Sequence, residues 1–587
     1  MKKKNAGSAA TAPAARLGQK TDIERLLRAQ LAALTGGLAP DDYARAWWDW
    51  YLNIARHPPK QAALARSAGE KFLDSWQFAT RAAGGEPLAP GGEELGFGGA
   101  AWSAWPFNAY ARAYSNWTAW WRQALASDTP DPSLTRARFA ARMLLDAASP
   151  ENFLYTNPEL LDRTAAESGQ NLIRGLRNWL EDAQRVARGG RAPGAEPFTV
   201  GKDVAVTPGK VVYRNRLVEL LQYSPQTPRV YAEPVLITPA WIMKYYILDL
   251  SPRNSLVRYL VEKGHTVFMI SWKNPDAADR ELSLDDYLEL GFLEALAQVR
   301  RRVPDRRVHA VGYCIGGTLL AIAAARLAAA GDKLLASVTL LAAQVDFSEP
   351  GELAVFITPS QIAMLEAMMS RSGVLESERM SGAFAMLRSR DLLWKPAVEQ
   401  YVRGERPQLN DLMAWNADGT RMPCRMHSEY LERLYLKNEL AQGTFTMKGR
   451  TVDLARLTLP LFVVGTETDH VAPWRSVYKI RGLTRSRDYT FLLTSGGHNA
   501  GIVSGPVHPK RRHRTLTWSN ARDTLAPEAW LKRAPLLEGS WWPAWQRWLA
   551  SHSAAKQQPA RTLGAGGAGT HGAGAKLEDA PGSYVRT

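Results

Sequence analysis

Cysteine is almost missing from this chain of 587 residues, which has only Cys314 and Cys424. Two cysteines cannot form a disulfide framework, and such scarcity is typical of a reducing compartment, so we expect a cytoplasmic protein. The ten histidines form no group with the spacing of metal ligands. We therefore predict no metal site.

Long apolar runs are missing as well. No stretch reaches the roughly 18 uninterrupted apolar residues that a membrane-spanning helix needs. The start, Met1 to Ala6, resembles the basic region of a signal peptide, but Thr11 to Lys20 contains mostly small, polar and basic residues where an apolar run should follow. We predict no transmembrane segment, and a disordered basic tail over residues 1–20.

Acidic residues are too few to balance the basic ones, and the formal net charge is +16. Such a charge attracts anionic partners: nucleic acid, an acidic membrane or a small molecule that carries phosphate. Zinc-ligand spacing, basic heptads and aromatic RNP-like strands are all missing from the sequence, so we predict no nucleic-acid partner. A solvated basic surface without a specific role is the alternative.

The periodicity of the chain changes near residue 190. From Asp22 to Arg188 apolar and aromatic residues recur at helical spacing, and Gly189 to Gly194 has the composition of a linker. Short β-rich runs then alternate with helical ones, which predicts a mainly parallel sheet with helices on both faces. The strand pattern stops between Asp346 and Phe445, where a long helical insertion would form a lid.

These patterns predict an α/β-hydrolase fold with a helical lid insertion, preceded by a mostly helical N-terminal domain. The predicted strands contain Val211–Tyr213, Val235–Ile237, Val267–Ile270, Val308–Tyr313, Val338–Leu341, Leu461–Val464 and Tyr489–Leu493. The predicted segments are a tail (1–20), the N-terminal domain (21–190), the first part of the core (196–345), the lid (346–445), the second part of the core (446–552) and a flexible tail (553–587). We also predict a basic loop at Lys510 to Arg514 and a Trp-rich helix at Trp541 to Trp548.

Gly312-Tyr313-Cys314-Ile315-Gly316 has the pattern of a nucleophile elbow with cysteine as the nucleophile. The turn from strand to helix is too tight for side chains two places before and after the nucleophile, which explains the two glycines. A strand is predicted before the motif and a helix after it. We therefore predict an acyl-transferring enzyme in which Cys314 attacks, the alternative being a buried structural cysteine.

A thiol nucleophile needs a base, and the base needs an acid that orients it. In this fold the order along the chain is nucleophile, acid, histidine, each after a strand. Asp469 and His498 follow two predicted strands in that order. Glu467 is a rival acid and His470 a rival base, but each fits the order less well.

The oxyanion hole of such a site is made by two backbone N–H groups. One belongs to the residue after the nucleophile, here Ile315. The other belongs to the loop after an earlier strand, here Thr238-Pro239-Ala240-Trp241, so we predict Ala240 or Trp241 as the second donor.

Cysteine in place of serine favours a thioester substrate. Attack of a thiolate on a thioester gives another thioester of nearly equal free energy, so the acyl group stays activated for transfer to a hydroxyl. An acyl-CoA is a natural donor of this kind, and its phosphates suit the basic surface. Cysteine hydrolases are the alternative.

Around these residues the sequence resembles the polyhydroxyalkanoate synthases, which polymerise (R)-3-hydroxyacyl-CoA into storage polyester. The resemblance runs from about residue 100 to the C-terminus, with a departure at Pro239-Ala240-Trp241. The motifs that carry it are Ser149–Phe153, Thr156–Glu159, Lys244–Leu250, Gly264–Phe268, Ser271–Asp276, Gly312–Gly317, Trp415–Asp418, Asp469–Trp474, Ser495–His498 and Gly539–Pro543.

The resemblance implies that Cys314 carries the acyl group, that His498 is its base, and that Asp469 orients His498 or activates the 3-hydroxyl of the acceptor. It implies the single-subunit kind of synthase, with a long helical N-terminal region, and a homodimer on the surface of a polyester granule. The CoA thioester would be the substrate, and no separate cofactor is expected. Two alternatives stay open: a cysteine hydrolase of esters, lactones or polyester, and a non-catalytic protein that coats granules.

Overall fold

The computed structural model describes residues 28, 30, 31, 35, 37–86, 91, 93–127, 131–188, 190–520, 525–564 and 577–587. The predicted basic tail over residues 1–20 and most of the low-complexity stretch Leu563–Ala575 lie outside these ranges. Within them, no helix combines the length and the apolar character needed to cross a membrane.

A ten-stranded mixed sheet lies at the centre of the core. Its strands, numbered in chain order, are β1 Gly209–Arg214, β2 Val218–Tyr223, β3 Val235–Thr238, β4 Val267–Trp272, β5 Val308–Tyr313, β6 Leu335–Leu341, β7 Leu461–Thr466, β8 Tyr489–Thr494, β9 Arg512–Trp518 and β10 Leu536–Glu538. Their spatial order is β1-β2-β4-β3-β5-β6-β7-β8-β9-β10. Neighbours from β4 to β8 in this order are parallel, and the outer pairs are antiparallel.

The sequence predicted every strand of the parallel part of this sheet. These strands are buried along their whole length because helices cover both faces, so they read as continuous apolar runs. The predicted basic loop at Lys510 to Arg514 is wrong from Arg512 onward, although Lys510 and Arg511 do lie in a loop. Arg512 begins β9, which pairs antiparallel with β8 near the edge of the sheet, where basic side chains can reach solvent within a strand.

The order of the strands reverses between β3 and β5, because the chain passes from β3 to β4 on one side and then returns to β5 on the other. In open α/β sheets, ligands bind at the carboxyl ends of the strands beside such a reversal. β3 ends at Thr238 and β5 ends at Tyr313, immediately before the predicted nucleophile. The topology thus places the elbow and the predicted oxyanion loop at the same edge.

Helices cover the sheet and build the two other regions. The core helices are Leu256–Glu262, Leu284–Asp286 with the π-helix Tyr287–Leu293, Glu294–Arg302, Ile315–Ala329, Trp474–Tyr478, Ile480–Leu483, Pro527–Arg533 and Trp542–Ser551. The N-terminal region contains Pro40–Ala55, Pro58–Ala83, Phe107–Ala124, Pro132–Ala147, Pro158–Ala166 and Gln170–Ala187. The helix Trp542–Ser551 confirms the predicted Trp-rich helix.

The insertion between β6 and β7 is helical, as predicted for the lid. Its helices are Pro359–Ser372, Ser377–Leu387, the π-helix Arg390–Trp394, Lys395–Tyr401, Asp411–Asn416, Cys424–Glu429 and the π-helix Tyr430–Leu436. It also contains a two-residue strand pair, Val374–Leu375 with Met422–Pro423, which the sequence did not predict.

The N-terminal helices pack against the lid. The guanidinium of Arg390 in the lid donates to both carboxylate oxygens of Glu151, at 2.7 and 3.0 Å. Asn171 and Asn178 donate to backbone carbonyls of the lid at 3.0 and 2.9 Å. The N-terminal region therefore supports the lid from outside.

The end of the chain packs against the core. Gln558–Pro559 pairs with Arg229–Val230 as a two-stranded sheet. Buried Glu219 of β2 accepts the backbone N–H of Tyr584 at 3.1 Å. The prediction of a flexible tail over 553–587 is therefore wrong for the described part of this range, because a buried carboxylate and a strand pair hold it in place.

Candidate active site

The predicted elbow has the backbone of a nucleophile elbow. Cys314 lies between β5 and the helix Ile315–Ala329 with φ 52° and ψ −128°, a region that side chains rarely adopt. A methyl group on Gly316 would collide with the carbonyl oxygens of Thr238 and Pro239, so only glycine fits there. The turn therefore holds the Cys314 side chain at the end of the sheet, against the loop after β3.

Asp469 and His498 meet at the same edge of the sheet. His498 Nδ1 lies 2.8 Å from Asp469 Oδ2, and this oxygen also accepts the hydroxyl of Thr466 at 2.8 Å. The other carboxylate oxygen accepts the backbone N–H groups of Val471 and Ala472 at 2.9 and 2.8 Å. The carboxylate is thus held rigidly, and His498 Nε2 is the nitrogen left free to accept a proton.

Electrostatics couples His498 to both neighbours. Burial opposes the charged imidazolium, but the attraction of Asp469 and of Cys314 outweighs it and raises the pKa of His498 well above its ordinary value. For Asp469, burial alone would raise the pKa of the carboxyl, but His498 and the hydrogen bonds of the loop lower it below its usual range. The arrangement favours a carboxylate beside a histidine that can take up a proton from the thiol.

The backbone N–H of Ile315 has no acceptor among the described residues, as an oxyanion donor requires. Ala240 lies on the same cavity wall as Cys314, and its N–H is likewise without an acceptor in that part of the chain. The N–H of Trp241 has no acceptor among the described residues either, and its side chain packs in the core, with its ring 4.6 Å from that of Tyr287. Of the two predicted second donors, Ala240 is the one that lines the cavity, and the choice between them stays a prediction.

A cavity of about 1230 Å³ lies between the lid and the end of the sheet, with Cys314 and His498 in its wall. Its lining is mainly apolar and comes largely from the lid. The apolar lid residues in it include Leu353, Phe356, Ile357, Leu365, Met368, Leu375, Met380, Phe384, Leu412 and Leu431. A cavity of this size and character fits an acyl chain with one or a few polar groups.

Comparison with known proteins places the chain in a family. The family described as "Poly-beta-hydroxybutyrate polymerase (PhaC) N-terminus" matches residues 94–260, and "Poly-beta-hydroxybutyrate polymerase N terminal" matches residues 19–60. The alpha/beta hydrolase fold family matches residues 233–504. Poly(3-hydroxyalkanoate) polymerase of Methylorubrum extorquens is 39% identical over 99% of this chain and 93% of its own length. The chain belongs to the poly(3-hydroxyalkanoate) polymerases.

Other members of the polymerase family are similar over most of the chain. The polymerase subunit PhaC of Rhizobium meliloti is 38% identical over 83% of this chain and 78% of its own length. The polymerase subunit PhaC of Cupriavidus necator is 39% identical over 77% of this chain and 75% of its own length. A solved structure, the monoacylglycerol lipase of Paleococcus ferrophilus, is 14% identical, covers 57% of this chain and 99% of its own, and has a TM-score of 0.33. The α/β-hydrolase fold predicted from the sequence is confirmed by the family match and by the topology of the sheet.

Neither the rival acid nor the rival base is hydrogen-bonded to the Asp469–His498 pair of this polymerase. Glu467 is turned toward Arg512 of β9, with 3.5 Å between the charged atoms. His470 lines the cavity, but its ring has no hydrogen-bond partner among the described residues, and burial lowers its pKa. Asp469 and His498 are thus paired beside Cys314, and neither rival takes part in that pair.

Several polar groups of the site were not predicted from the sequence. Tyr313 donates to Asn499 at 2.6 Å, and its ring lies 5.5 Å from that of His498. From the lid, Tyr430 and Tyr435 face the same cavity. No periodic pattern could have found this lid pair, because the two residues are five apart and an α-helix would point them in different directions.

Proposed function

We propose that this chain polymerises (R)-3-hydroxyacyl groups from CoA thioesters through an acyl intermediate on Cys314, with release of CoA. The observation that carries the proposal is the hydrogen-bonded Asp469–His498 pair beside Cys314 at the base of a lid-covered apolar cavity. Relatives similar over most of the chain are named poly(3-hydroxyalkanoate) polymerases, which supports the same reaction.

In the first step His498 Nε2 takes the proton of the Cys314 thiol, and the sulfur attacks the carbonyl carbon of the thioester. The negative charge on the carbonyl oxygen is held by the N–H groups of Ile315 and Ala240. When the intermediate collapses, the bond from carbon to the CoA sulfur breaks, and His498 returns the proton to that sulfur. The acyl group is then bound to Cys314.

In the second step the 3-hydroxyl of an incoming acyl thioester attacks the carbonyl carbon of acyl-Cys314. An ester bond forms, the carbon–sulfur bond breaks, and the proton of the hydroxyl passes through His498 to the Cys314 sulfur. Asp469 stabilises the imidazolium that forms on the way. The lengthened acyl-CoA can acylate Cys314 again, and these steps need no cofactor other than the substrate.

The lid supports transfer to a hydroxyl over hydrolysis, because a cavity with apolar walls excludes the water that would end the chain. Two basic lid residues, Arg379 and Lys395, also line the cavity and form no ion pair within the described ranges. They suit the phosphates of CoA, whose acyl end would reach toward Cys314.

The experiment that tests the proposal follows both products from (R)-3-hydroxybutyryl-CoA. We expect CoA release together with insoluble polyester, and we expect Cys314→Ala to abolish both. Free 3-hydroxybutyrate without polyester would favour the cysteine hydrolase. Undiminished polyester formation by Cys314→Ala would favour a granule-coating role.

We further propose a cytoplasmic homodimer at the surface of the polyester granule. Support comes from apolar side chains that the N-terminal helices expose, among them Trp76 and Trp179, which are 62% and 53% accessible. Deletion of residues 1–190 should reduce granule association in fractionated cells. Unchanged association would contradict this role.

A further inference from the structure

The lid changes its helical register beside the candidate site. The α-helix Cys424–Glu429 continues without a break into the π-helix Tyr430–Leu436. A π-helix places residues five apart on one face, whereas five residues of α-helix turn through about 500° and separate them. The π-turn therefore brings Tyr430 and Tyr435 together.

The two tyrosines form a hydrogen-bonded pair. Their ring centroids lie 5.3 Å apart at an angle of 83°, and the hydroxyl of Tyr430 donates to that of Tyr435 at 3.3 Å. Phe347 packs against the ring of Tyr435 at 4.6 Å and holds it in place. Both tyrosines are buried, at 8% and 9% exposure, and both line the cavity that contains Cys314.

The pair stays protonated and lies near Cys314. Burial raises the pKa of both hydroxyls, and the negative charge of Cys314 raises each of them further. A phenol of this kind donates a hydrogen bond and does not act as a base at neutral pH.

One hydroxyl hydrogen of the pair is unused. Two hydroxyls carry two hydrogens; one joins Tyr430 to Tyr435, and the other has no acceptor among the described residues. A buried donor without an acceptor is costly, so such a group in the wall of a cavity points to a ligand oxygen.

Resting on the proposed function, we propose that Tyr435 binds the oxygen on C3 of the acyl group held at Cys314, and that Tyr430 orients it. A 3-hydroxyacyl thioester has two polar groups at its reacting end, the carbonyl and the 3-hydroxyl. The carbonyl oxygen has donors in Ile315 and Ala240 on the sheet side. The 3-hydroxyl is the group left for a donor on the lid side, and a contact there would select 3-hydroxyacyl groups over plain acyl groups.

The test compares two substrates in the acylation step alone. Single-turnover CoA release is measured with (R)-3-hydroxybutyryl-CoA and with butyryl-CoA, which lacks the 3-hydroxyl. We expect the native enzyme to prefer the hydroxylated substrate by about tenfold in kcat/KM, because a preference of this size corresponds to the net free energy of one hydrogen bond. Tyr435→Phe should remove most of this preference, and Tyr430→Phe part of it. The control is Tyr401→Phe, a lid tyrosine that donates to Asp182 at 3.1 Å, which should keep the preference.

The ratio of the two substrates within one variant does not depend on how much of that variant is folded. If Tyr435→Phe slows CoA release equally with both substrates, so that the preference is unchanged, the contact with the 3-hydroxyl is overturned. CoA release by the native enzyme would still support the proposed function in that case. Native enzyme that releases CoA from neither substrate would overturn the proposed function and this assignment with it.

Discussion

At the scale of single residues, the elbow is a place where the backbone itself is under strain. Cys314 has a positive φ, a conformation that costs of order 1–3 kcal/mol for a residue with a side chain. β5 and the helix Ile315–Ala329, whose N-terminal half is buried, impose that conformation on the turn between them. The strain points the thiol away from the sheet, where substrate can reach it.

Gly316→Ala should disrupt this turn, because the added methyl group would collide with two backbone carbonyl oxygens that cannot move aside easily. We expect a loss of about 1–3 kcal/mol in the free energy of unfolding, measured by urea denaturation, and a loss of CoA release. Gly69→Ala is a matched control. Gly69 is exposed in the helix Pro58–Ala83 with open space around it, so alanine should stabilise the protein slightly there. Equal stability of Gly316→Ala and the native protein would contradict the steric account.

Asp469→Asn should test the hydrogen-bonded pair. The variant keeps the size of the side chain but loses the charge that raises the pKa of His498 and stabilises its imidazolium. We expect CoA release to slow by about 10²- to 10⁴-fold, with little change in the melting temperature. Glu467→Gln changes the rival acid, which faces Arg512, and should leave the rate unchanged. A slow Glu467→Gln variant together with an unaffected Asp469→Asn variant would identify Glu467 as the acid instead.

At the scale of elements, the lid lies between the cavity and the N-terminal helices. Its inner side faces the cavity, and its outer side is bound to the N-terminal helices through hydrogen bonds and ion pairs that cross between the two regions. Among these ion pairs, that of Arg390 with Glu151 consists of two hydrogen bonds, and the Arg390 side chain is only partly exposed. Paired charges of this geometry are stronger than exposed ion pairs.

Arg390→Gln should therefore loosen the lid, because it leaves Glu151 without its partner. We expect faster amide hydrogen exchange in Ser377–Leu387, by a factor of about ten or more, while the central sheet keeps its protection. Arg177→Gln is the control, since Arg177 pairs with Glu181 on an exposed surface and its side chain is 80% accessible. Faster exchange throughout the molecule would show general destabilisation and contradict a local role.

At the scale of the whole molecule, three buried histidines make the fold sensitive to acid. Burial lowers the pKa of His265 to about 4, of His309 to about 3 and of His427 to about 4, below the ordinary value of 6.5. The unfolded chain therefore takes up protons at these sites before the folded chain does. Their joint effect is that the free energy of unfolding falls as the pH falls from about 6.5 toward 4.

His265→Phe should remove the contribution of His265 to this dependence of the free energy of unfolding on pH. The ring of His265 stacks on Tyr231 at 4.6 Å, and neither of its nitrogens has a hydrogen-bond partner among the described residues, so phenylalanine is tolerated. Between pH 6 and 4.5 the slope of unfolding free energy against pH should become shallower by about 1.4 kcal/mol per pH unit. Urea denaturation at a series of pH values measures it, and an unchanged slope would contradict the assignment.

Features that depend on neighbours along the chain could be predicted from the amino-acid sequence. The buried parallel strands read as apolar runs because helices cover both faces of the sheet. Cys314, Asp469 and His498 could be predicted because the elbow has a local steric signature and the other two residues follow strands in a set order. The family resemblance rests on local motifs in the same way.

Features that depend on contacts between distant segments could not be predicted in this way. Polar residues interrupt the apolar pattern of β2, β9 and β10, so these strands were not predicted. They form because they pair with strands elsewhere in the chain. The place of Ala240 in the cavity wall and of the Trp241 side chain in the core depends on such contacts. The Tyr430–Tyr435 pair depends on a π-turn that no period in the sequence records, because an α-helical period would place the two residues on different faces.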